Sequence, residues 1–173
     1  MMTRIPSQML LRGALALLML GGAAPVAAQQ LVIVVRHAER ADGGSNSMQA
    51  QADPLLSTEG TARAERLAAM LADAGVTAIF ATEYKRTQDT GKPLAAKLGL
   101  TVQSSSGNDS GALVKRIKTE HAKGVVLVIG HSNTIPAIVK GFGGGPVTVA
   151  DEDYSSLFLV VPATGVVTRL RFP

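Results

Sequence analysis

The stretch "LVIVVRHAERAD", residues 31–42, begins with five apolar residues and turns polar at Arg36 and His37. A short continuous apolar run of this kind predicts a strand that is buried on both faces of a sheet. An arginine–histidine pair where a buried strand emerges is often an ordinary surface pair, so alone it does not indicate a function. It directs attention to the ends of the other predicted strands.

Five further apolar runs predict strands at residues 78–81, 101–103, 125–129, 156–161 and 166–170. Helical patterns separate the first five of the six strands. This alternation predicts an α/β domain, with a mainly parallel sheet covered by helices on both faces. The last two strands are joined only by "PATG", which is too short for a crossover, so they are expected to form an antiparallel hairpin.

The first helix is predicted within "LSTEGTARAERLAAMLADAG", residues 56–75. Ser57 or Thr58 would cap its start, Gly75 would end it, and its apolar stripe would consist of Leu67, Met70 and Leu71. A second helix in residues 87–100 is expected to start afresh or kink near Pro93. Residues 111–124 predict a third helix, and residues 134–145 a short fourth with Pro136 in its first turn. The inward side chains of the third helix would be Leu113, Val114 and Ile117.

The first 28 residues have the order of a secretory signal: basic residues, an apolar stretch at 13–20, and small residues up to Ala28. We therefore expect cleavage after Ala28, a mature domain of residues 29–173, and a periplasmic or secreted protein. The alternative is an uncleaved membrane anchor. The apolar stretch is well short of the roughly 20 residues that a spanning helix needs, and Gly21, Gly22 and Pro25 prevent it from continuing as an apolar helix.

The composition of the mature chain excludes several classes of function. Residues 1–28 contain two arginines and no acidic residue, so their removal lowers the formal charge from +4 to +2. No basic run of five or more occurs and aromatic residues make up only 3%, which argues against nucleic-acid binding. The chain has no cysteine, so disulfides, thiolate metal sites and a cysteine nucleophile are excluded.

Polar side chains follow three of the predicted parallel strands where ligands bind in open α/β sheets. Arg36 and His37 follow the first strand, Arg86 lies in "TEYKRT" after the second, and His131 follows the fourth. Arginines bind phosphate oxygens bidentately, and a neutral imidazole can attack phosphorus. His37 is thus a candidate nucleophile, with Arg36 as a phosphate ligand. The third histidine, His121, is expected in a solvated helix end.

Each of these residues has an ordinary alternative when it is considered alone. Arg86 could pair with Glu83 or Asp89 at a helix start, and His131 could be a buried ring bonded to the backbone. Two histidines could also ligate a metal. The absence of an HxH or HxxxH pair and the neighbouring arginines argue against a metal site.

The segments "VRHAER", "PLLSTEGTARAERLAAML", "TEYKRTQDTGKPLAAKLGL" and "VVLVIGHSNT" resemble the histidine phosphatase superfamily, which includes the cofactor-dependent phosphoglycerate mutases. The resemblance extends over nearly the whole mature chain. It implies a three-layer α/β/α sandwich, phosphoryl transfer to His37, hydrolysis of the phosphohistidine, and no metal or other cofactor. Arg36, Arg86 and His131 match the family's phosphate-pocket positions.

This sequence departs from the family's pattern in two respects. It is too short for the substrate-binding insertions of the mutases, so mutase activity is not expected. The family's acidic proton donor also has no clear match. Asp109 is our candidate, although it could instead cap the third helix, and Glu39 and residues 151–153 are alternatives. Thr82 stands where many members carry a serine-rich stretch, and its hydroxyl could replace one there.

The sequence therefore predicts an exported, metal-independent phosphomonoester phosphatase. Its catalytic residues would be His37, His131 and Asp109, and its phosphate ligands Arg36, Arg86 and His131. The substrate would be a small-molecule or protein phosphomonoester, with no nucleic-acid partner and no stable membrane insertion after signal cleavage. A non-catalytic phosphate- or glycan-binding module and a phosphohistidine-protein phosphatase are the alternatives.

Overall fold

A computed structural model of the chain describes residues 30–43 and 53–173. The elements in chain order are β1 (Leu31–Arg36), α1 (Thr58–Leu71), β2 (Val76–Thr82), α2 (Lys85–Leu98), β3 (Val102–Ser105), α3 (Ser110–Glu120), β4 (Val125–Gly130), α4 (Ile135–Gly141), β5 (Ser156–Val161) and β6 (Val166–Arg171). All six predicted strands are present, with ends within two residues of the prediction. The predicted signal, residues 1–28, lies outside the described residues. No helix in the described ranges is long and apolar enough to cross a membrane.

The six strands form one sheet in the order β3-β2-β4-β1-β5-β6. The first four strands in this order are mutually parallel. The last two are antiparallel, β5 to β1 and β6 to β5. The predicted α/β class, with a mostly parallel sheet and a C-terminal antiparallel hairpin, is therefore confirmed.

Strand β1 is one of the two middle strands of the sheet, and its apolar residues face both sides of the sheet. Val32 and Val34 pack in one cluster with residues of α3 and α4. Ile33 and Val35 pack in a second cluster with residues of α1 and α2. Burial of each such side chain contributes about 1.5–3 kcal/mol, so both faces of this strand must be apolar. The two clusters make the domain a three-layer α/β/α sandwich.

Helix α1 begins as predicted but ends earlier. The Ser57 side chain caps it by accepting a hydrogen bond from the Gly60 amide at 3.0 Å. The helix ends at Leu71, and Gly75, with φ of +70°, closes the turn that leads into β2. Met70 is 46% exposed. The apolar stripe therefore consists of Ala64, Leu67, Ala68 and Leu71, which follow the spacing of a helix face.

Helix α2 runs through Pro93 as one element, so of the two expectations for that residue the fresh start was wrong and the kink stays a prediction. Proline removes one backbone hydrogen bond, but tertiary packing holds the helix on the sheet. Gly91 allows the close approach, because a Cβ at that position would lie 2.8 Å from Ile129 Cδ1. The predictions for the other two helices are confirmed: Leu113, Val114 and Ile117 are buried, and Pro136 lies in the first turn of α4.

The sheet order decides where the functional side chains meet. Strands β2, β4 and β1 are neighbours, although they are the second, fourth and first strands in the chain. Arg36 of β1 pairs in register with Gly130 of β4. The residues that follow these two, His37 and His131, therefore emerge side by side at the carboxyl edge.

Candidate active site

His37 and His131 lie against each other at the carboxyl edge of the sheet. Their ring centroids are 5.2 Å apart in an edge-to-face arrangement. The His37 backbone amide donates to the Gly130 carbonyl at 2.9 Å, which extends the β1–β4 pairing by one residue. Only 3% of His37 and 9% of His131 is exposed, so both rings are held by the protein.

The orientation of the His37 ring suits a nucleophile. Its Nδ1 lies 2.8 Å from the carbonyl oxygen of Ala38, which can only accept, so Nδ1 carries the ring proton. In a neutral ring this leaves the lone pair on Nε2, which has no hydrogen-bond partner among the described residues. Burial lowers the pKa of His37 from 6.5 to about 3, and the positive charges of Arg36 and Arg86 act in the same direction. His37 is therefore neutral at pH 7.

His131 is held by the hydroxyl of Thr82, whose Oγ1 lies 2.9 Å from His131 Nε2. Thr82 Oγ1 also lies 2.8 Å from the hydroxyl of Thr87, which is within donating distance of the Tyr84 carbonyl at 2.7 Å. If the Thr87 hydroxyl donates to the Tyr84 carbonyl, it can accept from the Thr82 hydroxyl. Thr82 Oγ1 is then free to accept a hydrogen bond from Nε2–H of His131. Burial, and then the charges of Arg86 and Arg36, lowers the pKa of His131 to about 4.

Arg36 lies beside His37 but points partly away from it. Its Nη1 donates to the backbone carbonyls of Ala150, at 3.4 Å, and Asp151. Its guanidinium carbon lies 4.1 Å from the ring centroid of Tyr154. The Nε group is buried and has no hydrogen-bond partner. Arg36 therefore connects the end of β1 to the segment 150–154 and retains one unused donor.

Arg86 enters the site from the first turn of α2, as the sequence predicted. Burial, and then the nearby positive charge of Arg40, lowers its pKa. Its guanidinium stacks over the Tyr84 ring at 4.4 Å, and its Nη1 lies 3.6 Å from the carboxylate of Asp53. That distance is too long for a hydrogen bond, and both Nε and Nη1 are buried without a partner.

These unused arginine donors are the strongest physical indication of a ligand. In the described ranges, the only buried side-chain nitrogen or oxygen atoms without a hydrogen-bond partner are Arg36 Nε, Arg86 Nε and Arg86 Nη1. A buried, unsatisfied donor costs about 1–3 kcal/mol, and more when it is charged. Both arginines lie near enough to His37 to lower its pKa, so an oxyanion bound at that ring would lie in their field and could accept hydrogen bonds from them. A tetrahedral dianion such as phosphate offers enough acceptor oxygens to do so.

The chain's two tyrosines both border this site, and sequence reasoning missed them. Tyr84 contacts the His131 ring edge-on, with centroids 5.4 Å apart, and stacks on Arg86. Tyr154 lies 5.9 Å from the His37 ring and stacks on Arg36. Tyr84 is two residues from Arg86 in sequence, which was an available signal. Tyr154 becomes part of the site only because β5 pairs with β1.

The predicted proton donor, Asp109, is placed as a helix cap. Its carboxylate accepts a hydrogen bond from the Ala112 amide at 2.8 Å, at the N-terminus of α3. Its role as an acid remains a prediction. The alternative candidate Glu39 is paired with Arg63, whose Nε and Nη2 both approach one of its oxygens to 2.7 Å.

The third histidine lies away from this site. His121 caps the C-terminus of α3, as predicted for a helix end, but it is half-buried and contacts the Phe80 ring edge-on. Within residues 30–43 and 53–173, no group of three or more histidine, aspartate or glutamate side chains could hold a metal ion. Metal independence remains a prediction for experiment.

The sequence of residues 32–107, which contains Arg36, His37 and Arg86, matches the family model described as histidine phosphatase superfamily, branch 1. The fold and the paired histidines agree with that match. Residues 32–107 thus carry the sequence features of the histidine phosphatase superfamily. No curated protein matches it in sequence.

Solved structures with this fold include several phosphatases. A phosphoserine phosphatase from Entamoeba histolytica, in complex with 3-phosphoglyceric acid, superposes with a TM-score of 0.62 at 11% identity, covering 83% of this chain and 96% of that one. A mycobacterial glucosyl-3-phosphoglycerate phosphatase superposes with a TM-score of 0.57 at 17% identity, covering 76% of this chain and 89% of that one. The protein histidine phosphatase SixA, complexed with tungstate, superposes with a TM-score of 0.57 at 16% identity, covering 81% of this chain and 94% of that one. At these identities the likeness is one of fold.

The lowered pKa values of His37 and His131 predict how the stability of the folded protein depends on pH. In the unfolded chain both rings take up protons below pH 6.5, whereas in the folded protein they do so only near pH 4 for His131 and pH 3 for His37. The unfolded state therefore binds more protons in this range, and the free energy of unfolding should fall as the pH drops from about 6.5 to about 4.

Urea unfolding of wild type and His131→Gln between pH 8 and pH 4 measures this effect. The variant lacks one titrating ring, so its free energy of unfolding should depend less steeply on pH below 6.5. Parallel curves for the two proteins would contradict the assignment of His131 as a buried neutral ring.

Proposed function

We propose that this chain is an exported, metal-independent phosphomonoester phosphatase that works through a phosphohistidine on His37. The observation that carries the proposal is the buried neutral His37, with an unengaged Nε2, beside two arginines that have unused buried donors. An imidazole nucleophile, with cations arranged around the same small volume, suits transfer of a phosphoryl group.

The reaction would proceed in two displacements at phosphorus. In the first, the Nε2 lone pair of His37 forms a bond to phosphorus while the bond to the ester oxygen breaks, and that oxygen leaves with the electron pair and takes up a proton. In the second, water attacks phosphorus and loses a proton, and the P–N bond electrons return to Nε2. The products are an alcohol and inorganic phosphate, and His37 is restored as a neutral ring.

Each surrounding group has a distinct part in this scheme. The guanidinium groups of Arg36 and Arg86 bind the phosphoryl oxygens, where negative charge is concentrated in both transition states. The Ala38 carbonyl keeps the His37 proton on Nδ1, so that Nε2 remains the nucleophile. Thr82 orients His131 so that its ring supports that of His37.

The substrate class includes small phosphomonoesters, among them sugar phosphates, and phosphorylated protein side chains. A phosphohistidine-protein phosphatase is the second candidate, and the fold likeness to SixA favours it. Its leaving group is an imidazole, which needs less assistance from an acid than an alkoxide does. The intact set of Arg36, His37, Arg86 and His131 argues against a binding module that has lost turnover.

Export is proposed from the sequence of residues 1–28 alone. If the segment is a cleaved signal, the intact mass of the protein from the periplasm or medium should correspond to a chain that begins near Gln29. Recovery of only full-length protein from the cytosol would contradict export and leave the phosphatase proposal unaffected.

A substrate screen tests the activity and its metal independence together. Residues 29–173 should release phosphate from at least one class among sugar phosphates, nucleotides, phosphopeptides and phosphohistidine peptides. Dialysis against a strong chelator should leave the rate unchanged, because arginines bind the phosphate in this scheme. Loss of activity on chelation, with recovery on addition of zinc or magnesium, would instead indicate a metallophosphatase.

A further inference from the structure

The proposed reaction needs a proton donor for an alkoxide leaving group, and most nearby carboxylates are occupied by other partners. Each of these accepts bonds from a specific backbone amide or forms an ion pair, and so is fixed in place. They are Glu39 with Arg63, Asp53 with the Lys85 amide, Glu83 with the Gly107 amide, and Asp109 with the Ala112 amide.

Asp153 is excluded as the proton donor because its carboxylate is strongly stabilised in the charged form. Burial alone raises its pKa, but hydrogen bonds from Ser156, Arg169 and Ser155 outweigh that effect and lower the pKa to about 2. It also forms ion pairs with Arg169 and Arg171. A carboxylate in this position anchors the start of β5 and has no proton to give near neutral pH.

Asp151 differs from these residues because its own partners lie next to His37 and His131. Its carboxylate accepts a hydrogen bond from the Ser132 hydroxyl at 2.6 Å and forms no ion pair with any described residue. Its backbone carbonyl accepts from Arg36 Nη1. Ser132 directly follows His131, and Arg36 directly precedes His37. Asp151 is therefore bonded to a neighbour of each of the two catalytic histidines, across the carboxyl ends of β1 and β4.

The segment that carries Asp151 is held at the edge of the site by its neighbours. Tyr154 stacks on Arg36, and its hydroxyl lies 3.4 Å from Arg36 Nη2. Asp153 accepts from the Ser156 hydroxyl at 2.6 Å, which fixes the end of the segment to β5. The contact between Ser132 and Asp151 then directs this carboxylate toward the strand ends.

We propose that Asp151 is the proton donor of this phosphatase, with Ser132 as the residue that positions it. The inference rests on the proposed function. In the first displacement, the Asp151 carboxyl gives its proton to the departing ester oxygen as the P–O bond breaks, and an alcohol leaves. In the second, the Asp151 carboxylate takes a proton from the attacking water as the P–N bond breaks, which restores the carboxyl group.

The Asp151→Asn variant tests this role through the dependence of its rate on the leaving group. Nitrophenolate can leave without being protonated, whereas an alkoxide must receive a proton as it leaves. We expect kcat/KM for an alkyl phosphate to fall roughly 10²-fold or more, and that for p-nitrophenyl phosphate to fall less than about fivefold. Asparagine keeps the oxygen that accepts from Ser132, so the fold should be preserved, as circular dichroism can verify.

The matched control is Glu65→Gln, which removes the same charge from an exposed side chain of α1. Both substrates should be hydrolysed by this variant at wild-type rates. Ser132→Ala should show the same selective loss as Asp151→Asn, but of smaller size, since it only loosens the carboxyl group.

Equal slowing of both substrates by Asp151→Asn, or no slowing of either, would overturn the assignment. So would a leaving-group-dependent loss in Asp109→Asn together with a normal Asp151→Asn enzyme. In these cases wild type still forms a phosphohistidine, so the proposed function stands. Failure of wild type to hydrolyse any phosphomonoester would instead refute the proposed function and Asp151's role with it.

Discussion

The His37→Ala variant is expected to lose turnover by several orders of magnitude, because the covalent route through Nε2 no longer exists. Wild-type enzyme mixed with a ³²P-labelled substrate and quenched during turnover should carry a label that is stable in alkali and lost in acid. That chemistry is typical of a phosphoramidate. The variant should carry no label and should fold normally, since the ring lies at the edge of the sheet rather than in either apolar cluster.

The control for this experiment is the histidine that lies outside the site. His121→Gln changes a helix-end residue that contacts Phe80, and it should retain both the label and the rate. Robust turnover by His37→Ala would refute the covalent mechanism. A label that survives in His37→Ala and disappears in His131→Ala would move the nucleophile to the second ring.

The Arg86→Ala variant is expected to lose roughly 10²-fold or more in kcat/KM, by analogy with the loss of one preorganised donor from a transition-state site. Two of the three unused buried donors belong to this side chain. The loss should be of similar size for two chemically unrelated phosphate esters, because the arginine binds the phosphoryl group that they share. Lysine should restore little of the activity, since it lacks the planar pair of donors.

Arg116→Ala is a suitable control for the loss of an arginine. That half-buried side chain pairs with Glu120, donates to Gln103 and lies over the Phe80 ring, and its removal should leave kcat/KM unchanged. Near-normal kcat/KM for Arg86→Ala with both esters would show that the phosphate lies elsewhere. Arg36→Ala should also be slow, but it is a less specific test because Arg36 also holds the segment 150–154.

The local parts of this fold could be predicted from the sequence because local chemistry decides them. Apolar runs indicated β1, β2, β4 and β5, since a strand covered on both faces cannot tolerate polar side chains. Ser57 indicated the start of α1, and the four-residue turn before β6 allowed only a hairpin. The exceptions were Pro93, within α2, and Met70, outside the apolar stripe of α1. Packing against the sheet determines whether Pro93 interrupts α2 and whether Met70 is buried, and the local pattern of residues does not show that packing.

The structure brings together those predicted site residues that lie at or just after the ends of parallel strands. Arg36, His37 and His131 directly follow or end buried parallel strands, and Arg86 begins the helix after another, so their convergence follows from the fold class. Asp109 was selected by the same reasoning, since it follows β3. The structure shows that β3 is the outermost strand, two positions from β4, and gives Asp109 a capping hydrogen bond.

The sequence by itself determined the kind of chemistry: which side chains could attack or bind a phosphate, and that they lie at the carboxyl edge of a parallel sheet. Tertiary structure alone decided which other groups complete the site. Tyr154 and Asp151 are more than 100 residues from Arg36 in the chain and contact it only because β5 adds to the sheet antiparallel to β1. Such long-range pairing depends on the total burial of the sheet, which no local pattern of residues contains.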